Sequence, residues 1–280
     1  MEKDFTASAL NHTQVLQKMA RVRCFALDLD GTFYLDNQLF PFSLAFVNHL
    51  REAKIDYIFV TNNSSLNAKD YLSKLHRMGV PVEQRQIYTS GDATIHYLAE
   101  HSRQRDIYLL GTENLHLAFR EYGFQTESQK PDFVVIGFDK TLTYDKLSRA
   151  CRFIRAGVPF IATHPDLNCP MPGDDMIPDC GAISAAIASA TGVQPKFIGK
   201  PNKEMITGLL QRAGVANDEL AIVGDRLMTD IQTGIQHNIF SILVLSGETR
   251  RSDLQCASIR PDLVVSDLSA LHHLLRDVHR

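Results

Sequence analysis

The chain has 280 residues, 44% hydrophobic and 22% charged, with a net charge of −3. That balance carries no basic footprint for a nucleic-acid polymer, and no apolar run is long enough to span a bilayer. The stretch Met1 to Arg23 is polar and lacks the apolar centre of a secretion signal. Five cysteines (Cys24, Cys151, Cys169, Cys180, Cys256) are odd in number and include no Cys-x-x-Cys pair, which reads as thiols in a reducing cytoplasm.

Taken in order, residues 5–20 can form a short amphipathic helix. Val22 to Leu27 reads as a buried strand. It ends in Asp28-Leu29-Asp30-Gly31-Thr32, two carboxylates two residues apart, on the same side if the strand continues. Ser43 to Lys54 fits one helical face, with Ser43 as a cap. Tyr57 to Val60 is a second buried strand, followed by the donors Thr61-Asn62-Asn63-Ser64-Ser65. A helix over 67–78 closes at Gly79 and Pro81, and Ile87 to Thr89 is a third strand. The alternation is that of a parallel α/β sheet.

The middle third keeps the rhythm with its own elements: strands at Asp106–Leu110, Phe133–Ile136 and Val158–Ala162, and helices over 113–121 and 143–156. Thr163 to Cys180 holds four prolines and reads as a long loop, of the kind that is usually functional or disordered. A helix from Ala182 to Thr191 follows. In the last third, Phe197-Ile198 is a short strand leading to Gly199-Lys200-Pro201, and a helix covers 203–213. Glu219 to Val223 is a strand ending in Gly224-Asp225, with Asp230 five residues on. Strands at Ile239–Leu245 and Leu263–Val265 and a helix from Leu268 to Val278 complete the chain.

In open parallel sheets ligands bind beyond the carboxyl ends of the strands. Here those ends carry Asp28 and Asp30, Thr61 and Asn62, Lys200, and Asp225 with Asp230. Acids from separate segments make an all-oxygen set suited to a hard cation such as Mg²⁺. A lysine and hydroxyl and amide donors suit the oxygens of a phosphoryl group. Singly, each signal has an ordinary alternative: a solvated turn for Asp28-x-Asp30, a helix cap for Thr61-Asn62-Asn63, a solvated loop for Lys200, a helix start for Asp225 and Asp230. Their order, each directly after a strand, points to phosphoryl transfer.

This order resembles the four motifs of the haloacid dehalogenase superfamily, and the resemblance covers nearly the whole chain. Asp30, the second acid of Asp-x-Asp, is similar to the phosphatase members. Asp28 and Thr61 are 33 positions apart, which leaves no room for an inserted domain, whereas Thr61 and Lys200 are 139 apart. That interval looks like a large α/β cap of the C2 type. The implied architecture is α/β: a Rossmann-like parallel-sheet core over 1–95 and 195–280, with a cap over 96–194. The strings Thr61-Asn62-Asn63-Ser64, Ala162-Thr163-His164-Pro165-Asp166, Gly181-Ala182-Ile183 and Gly199-Lys200-Pro201 resemble the NagD-like branch, type IIA. The branch commonly carries Asn where His164 stands, and some members carry a substrate-contacting histidine where Cys169 stands.

The resemblance implies a Mg²⁺-dependent phosphatase acting on small phosphate monoesters (sugar phosphates, nucleotides, p-nitrophenylphosphate) through an aspartyl-phosphate. Asp28 would be the nucleophile and Asp30 the general acid and base. Asp28, the main-chain carbonyl of Asp30 and Asp225 would hold Mg²⁺, with Asp230 orienting a metal-bound water or Lys200. Thr61, the amides of Asn62 and Asn63, and Lys200 would bind the phosphoryl oxygens. His164 and Asp166, in the proline-rich loop, are candidates to meet substrate. The expected partner is a small phosphate ester, with neither nucleic acid nor membrane, and a homodimer is allowed. Alternatives are a sugar-phosphate mutase and a non-catalytic binding protein of the same fold.

Overall fold

A computed structural model describes residues 8–171 and 175–278. The start of the sequence-predicted N-terminal helix lies outside these residues; the helix itself is α1 (His12–Met19), closed at its start by a reciprocal Asn11–Gln14 capping box. The chain forms two compact units. One comprises residues 1–60, 75–87 and 209–280, the other 61–74 and 88–208.

The first unit carries a six-stranded sheet. Its members in chain order are β1 (Cys24–Leu27), β4 (Asp56–Thr61), β5 (Ile87–Thr89), β12 (Leu220–Gly224), β13 (Phe240–Val244) and β14 (Leu263–Val265). The intervening β2 (Tyr34–Leu35) and β3 (Gln38–Leu39) form a small antiparallel ribbon, and β6 to β11 belong to the second unit. The spatial order is β14-β13-β12-β1-β4-β5. β1 lies in parallel between β12 and β4, with Leu27 opposite Val223 on one side and Phe59 on the other. Every residue of β1, β12 and β13 is buried, because a parallel strand covered on both faces has no polar side. Helices α2 (Ser43–Glu52), α9 (Gln232–His237), the short α10 (Asp253–Cys256) and α11 (Leu268–Val278) belong to this unit, while α3 (Ala68–Arg77) and α8 (Lys203–Ala213) each cross the division. Ser43 does not cap α2; its hydroxyl donates to the Phe33 carbonyl at 2.5 Å, tying the helix start to the turn after β1.

The second unit carries a four-stranded parallel sheet, in the order β11-β8-β7-β6. These are β6 (Ile107–Leu110), β7 (Phe133–Ile136), β8 (Phe160–Ala162) and β11 (Lys196–Phe197). Helices α4 (Ser90–His101), α5 (Glu113–Glu121), α6 (Tyr144–Arg155) and α7 (Cys180–Thr191) complete it, with α6 and α7 packed around a core that includes Tyr108, Val134, Ile136, Ile154 and Ile187.

Three further features depart from the sequence expectation. Residues 196–197 pair with Ile161 and Ala162, so this strand extends the second unit's sheet and not the six-stranded sheet of the first. The proline-rich stretch after β8 is an antiparallel ribbon, β9 (Asn168–Met171) with β10 (Asp175–Pro178); a two-stranded ribbon has outward positions that need no N–H, so Pro170 and Pro178 fit within it. The units divide at 60/61, 74/75, 87/88 and 208/209, so residues 61–74, 88–95 and 195–208 pack with the second unit. Among the described residues no helix is long and apolar enough to cross a membrane.

Candidate active site

The clustering of the acids follows from strand adjacency. β1 and β12 are neighbours, and the ladder runs one step past β1, where the Asp28 N–H donates to the Val223 carbonyl at 2.9 Å. Asp28 and Asp225 therefore leave adjacent strand ends. After β12 the chain makes a wide π-type turn over Leu227–Ile231, which carries Asp230 back toward the sheet. A Cβ on Gly224 would lie 2.1 Å from the Asp230 carboxyl carbon, so only glycine leaves room for this return. The three side chains each offer a carboxylate oxygen within 4.8 Å of the others. Asp225 and Asp230 are 2% and 0% exposed, whereas Asp28 is only partly buried.

Asp225 sits in a tight cradle. Its Oδ2 accepts from the Glu248 N–H at 2.7 Å and its Oδ1 from the Thr32 hydroxyl at 3.3 Å. Cβ atoms at Gly31 and Gly247 would come within 2.4 and 2.0 Å of the same carboxylate. Gly31 also has φ +83°, a conformation that favours glycine. Burial first, and the Asp230 carboxylate second, push the Asp225 carboxyl from its ordinary 3.8 up to about 7. A hard divalent cation among three carboxylates would reverse that penalty, and the all-oxygen donor set fits one. The sequence sets Asp230 behind the expected ligands; in the fold its carboxylate belongs to the same cluster as Asp28 and Asp225. Thr32 and Gly247 were not singled out as supports for Asp225. The visible signal for them was a small or hydroxyl residue directly after the strand-end motifs, Gly31-Thr32 and Ser246-Gly247.

Asp30 is exposed, and its carboxylate accepts from the Tyr34 hydroxyl at 3.3 Å. The turn that holds it is closed by the Gly31 N–H donating to the Tyr34 carbonyl at 2.9 Å and by the Phe33 N–H donating to Leu29 at 2.8 Å.

The second unit gathers the remaining candidates. Asn62 is the junction. Its Oδ1 accepts from the Lys200 N–H at 2.8 Å and its Nδ2 donates to the Lys200 carbonyl at 3.1 Å. The same Nδ2 reaches the Asp166 carboxylate at 3.1 and 3.3 Å. The Asn62 carbonyl accepts from the Ser90 hydroxyl at the start of α4. Thr61 Oγ1 accepts from the Asn63 N–H at 3.1 Å, and Asn63 Oδ1 from the Ser65 N–H and hydroxyl, at 3.0 and 2.8 Å, so this donor loop is wound on itself. Lys200 is 2% exposed.

His164 is fully buried between two acids, with Nδ1 3.6 Å from Asp166 Oδ2 and Nε2 3.4 Å from Asp179 Oδ1. Asp179 caps α7, accepting from the Cys180 N–H at 2.6 Å. At Gly181 a Cβ would lie 2.1 Å from the Pro165 carbonyl oxygen, so glycine lets α7 approach the 165–166 backbone, where the Gly181 N–H donates to Asp166 at 2.8 Å. Strings that stand far apart in the sequence, around Asn62, His164, Gly181 and Lys200, thus form one node. Asp179 went unmarked in the sequence, although an Asp directly before an Ala-rich helix is a cap signature.

Comparison with known proteins finds relatives along most of the chain. A family model described as haloacid dehalogenase-like hydrolase matches residues 25–125, and a HAD-hydrolase-like model matches 197–271. The chain is 32% identical to the 5'-nucleotidase YutF of Bacillus subtilis over 251 residues, covering 90% of this chain and 98% of that protein. It is similar to the crystal structure of a 4-nitrophenylphosphatase from Thermotoga maritima (TM-score 0.89, 45% identity, 91% of this chain and 98% of that one). It is also similar to NagD from E. coli K-12 (TM-score 0.82, 30% identity, 89% and 97%).

Proposed function

The chain belongs to the haloacid dehalogenase-like hydrolases, among relatives that are phosphatases, and from that premise we propose that it is a Mg²⁺-dependent phosphatase of small phosphate monoesters. The observation that carries the reading is the trio of carboxylates from Asp28, Asp225 and Asp230, two of them buried, with Asp28 alone partly open to solvent.

In this reading an Asp28 carboxylate oxygen attacks phosphorus in line as the bond to the leaving oxygen breaks, giving an aspartyl-phosphate. Asp30 donates its proton to the leaving alkoxide and later takes one from the attacking water. The P–O bond to Asp28 then breaks, releasing inorganic phosphate and restoring the carboxylate. Exposure of Asp30 beside the Tyr34 hydroxyl supports a group that exchanges protons with a ligand and with water. Mg²⁺, held by Asp28, the Asp30 carbonyl and Asp225, would neutralise charge on the phosphoryl oxygens. Asp230, from its place in the trio, would orient a metal-bound water. Thr61, the amides of Asn62 and Asn63, and Lys200 would bind the phosphoryl group.

We assign the catalytic core to residues 1–95 and 195–280 and the substrate-reading cap to 96–194, except that residues 61–74, 88–95 and 195–208 pack with the second unit, 196–197 within its sheet. His164, being fully buried, serves substrate binding through its neighbours. The five cysteines are thiols, which supports a reducing compartment such as the cytoplasm. Light scattering distinguishes a monomer from the homodimer that the resemblance allows.

The test is phosphate release from p-nitrophenylphosphate, a nucleoside monophosphate and a sugar phosphate, after chelation and with Mg²⁺ restored. Release that depends on Mg²⁺ and on Asp28 is the expected result. No release from any ester under either condition would overturn the reading.

A further inference from the structure

Four side chains, Asp179, His164, Asp166 and Asn62, run in sequence from the start of α7 to the backbone of Lys200. Asp179 is fixed by its N-cap bond to Cys180. His164 spans the gap to Asp166, one ring nitrogen facing each carboxylate at 3.4 and 3.6 Å. Asp166 accepts from the Asn62 amide, and Asn62 grips Lys200 by both its N–H and its carbonyl. Gly199 continues the seat: its N–H donates to the Thr163 carbonyl at 2.7 Å, and a Cβ there would meet Asn62 Oδ1 at 2.7 Å and His164 Cβ at 2.8 Å.

The three ionisable groups of this node also meet the spacing of a metal site. The geometry favours a strut instead. A metal ion takes one nitrogen of an imidazole, and here the two acids face opposite nitrogens of the same ring. An imidazolium in that position offers an N–H to each carboxylate, at ion-pair distance on both sides, and so holds the two acids at a fixed separation.

We infer that His164 is a positioning residue: with Asp166 and Asp179 it sets the Asn62 side chain, and through Asn62 the place of Lys200 and of the phosphate-binding backbone at Asn62. This rests on the proposed role of Lys200 in binding the phosphoryl group.

The experiment is a double-mutant cycle in the full-length protein with p-nitrophenylphosphate and Mg²⁺, using His164→Gln, Lys200→Ala and the double variant. Asp179→Asn, which keeps an acceptor for the Cys180 N–H, runs in parallel in case His164→Gln fails to fold by circular dichroism. His164→Gln should lower kcat/KM about tenfold, and in the Lys200→Ala background the same change should cost less than twofold. Isotope-edited NMR should show the Lys200 amide resonance shifted in both His164→Gln and Asp179→Asn, a readout independent of turnover. A full tenfold loss retained in the Lys200→Ala background, or a Lys200 amide that does not move, overturns the strut. Wild-type activity in Lys200→Ala overturns the role of Lys200 itself, and the amide shift then still decides whether the strut reaches it.

Discussion

The side-chain amide of Asn62 holds Lys200 by both backbone groups, accepting its N–H at 2.8 Å and donating to its carbonyl at 3.1 Å, across 138 positions of sequence. An Asn does in one side chain what a neighbouring strand would otherwise do. Asn62→Ala removes both bonds and leaves the buried N–H and carbonyl of Lys200 to find other partners. The expected cost is about 2 kcal/mol of stability, with kcat/KM down by tenfold or more; chemical denaturation and steady-state kinetics measure the two. Asn62→Asp keeps the acceptor for the N–H but sets a carboxylate against Asp166, and should be the more damaging change.

Asp28→Asn should abolish turnover, since an amide oxygen does not form the acyl-phosphate. Acid-quenched protein labelled with ³²P-phosphoester should carry label in the wild type and none in the variant. Retention of most activity would end the covalent mechanism.

The pH dependence of the metal-free protein follows from Asp225. Its folded pKa is raised from 3.8 to about 7 by burial and then by Asp230. Between those values the native state holds a proton that the unfolded chain has released, so stability from this group is full below about pH 4 and falls as pH rises through 7. The span corresponds to a loss on the order of 4 kcal/mol. In the presence of a chelator, Tm should therefore drop from pH 5 to pH 8, and Asp225→Asn should flatten the drop. Added Mg²⁺ should raise Tm more at pH 8 than at pH 5, because it stabilises the ionised trio.

Gly247→Ala would set a methyl 2.0 Å from the Asp225 carboxylate. The backbone at that position must move or the carboxylate must swing away. The expected result is a shift of at least tenfold in the Mg²⁺ concentration for half-maximal activity, read by metal titration. Gly31→Ala should do the same and in addition cost about 1 kcal/mol or more for an L side chain at φ +83°.

The sequence by itself determined the alternation of strands and helices and the position of each polar strand end. Parallel strands buried on both faces must be written as short apolar runs, so Cys24–Leu27 and Leu220–Val223 announce themselves, and so do Asp28 and Asp225 just beyond them. The length of chain between Thr61 and Lys200 likewise required a second body of structure. Which strand lies beside which was not legible. β1 and β12 are separated by nearly two hundred positions, and only their pairing sets Asp28 against Asp225. The return of Asp230 to the same place depends on a π-type turn, which has no local sequence signature. The short strand at 196–197 carried no mark of its sheet, since two residues have no pattern to read. The Asp179–His164–Asp166 strut was hidden for the same reason: its members flank a ribbon whose prolines read as loop, and only the folded ribbon brings them within reach of one imidazole. Local chemistry is written along the chain because burial and periodicity act over a few residues. The meeting of distant groups is decided by sheet order, register and turn geometry, which are properties of the packed whole.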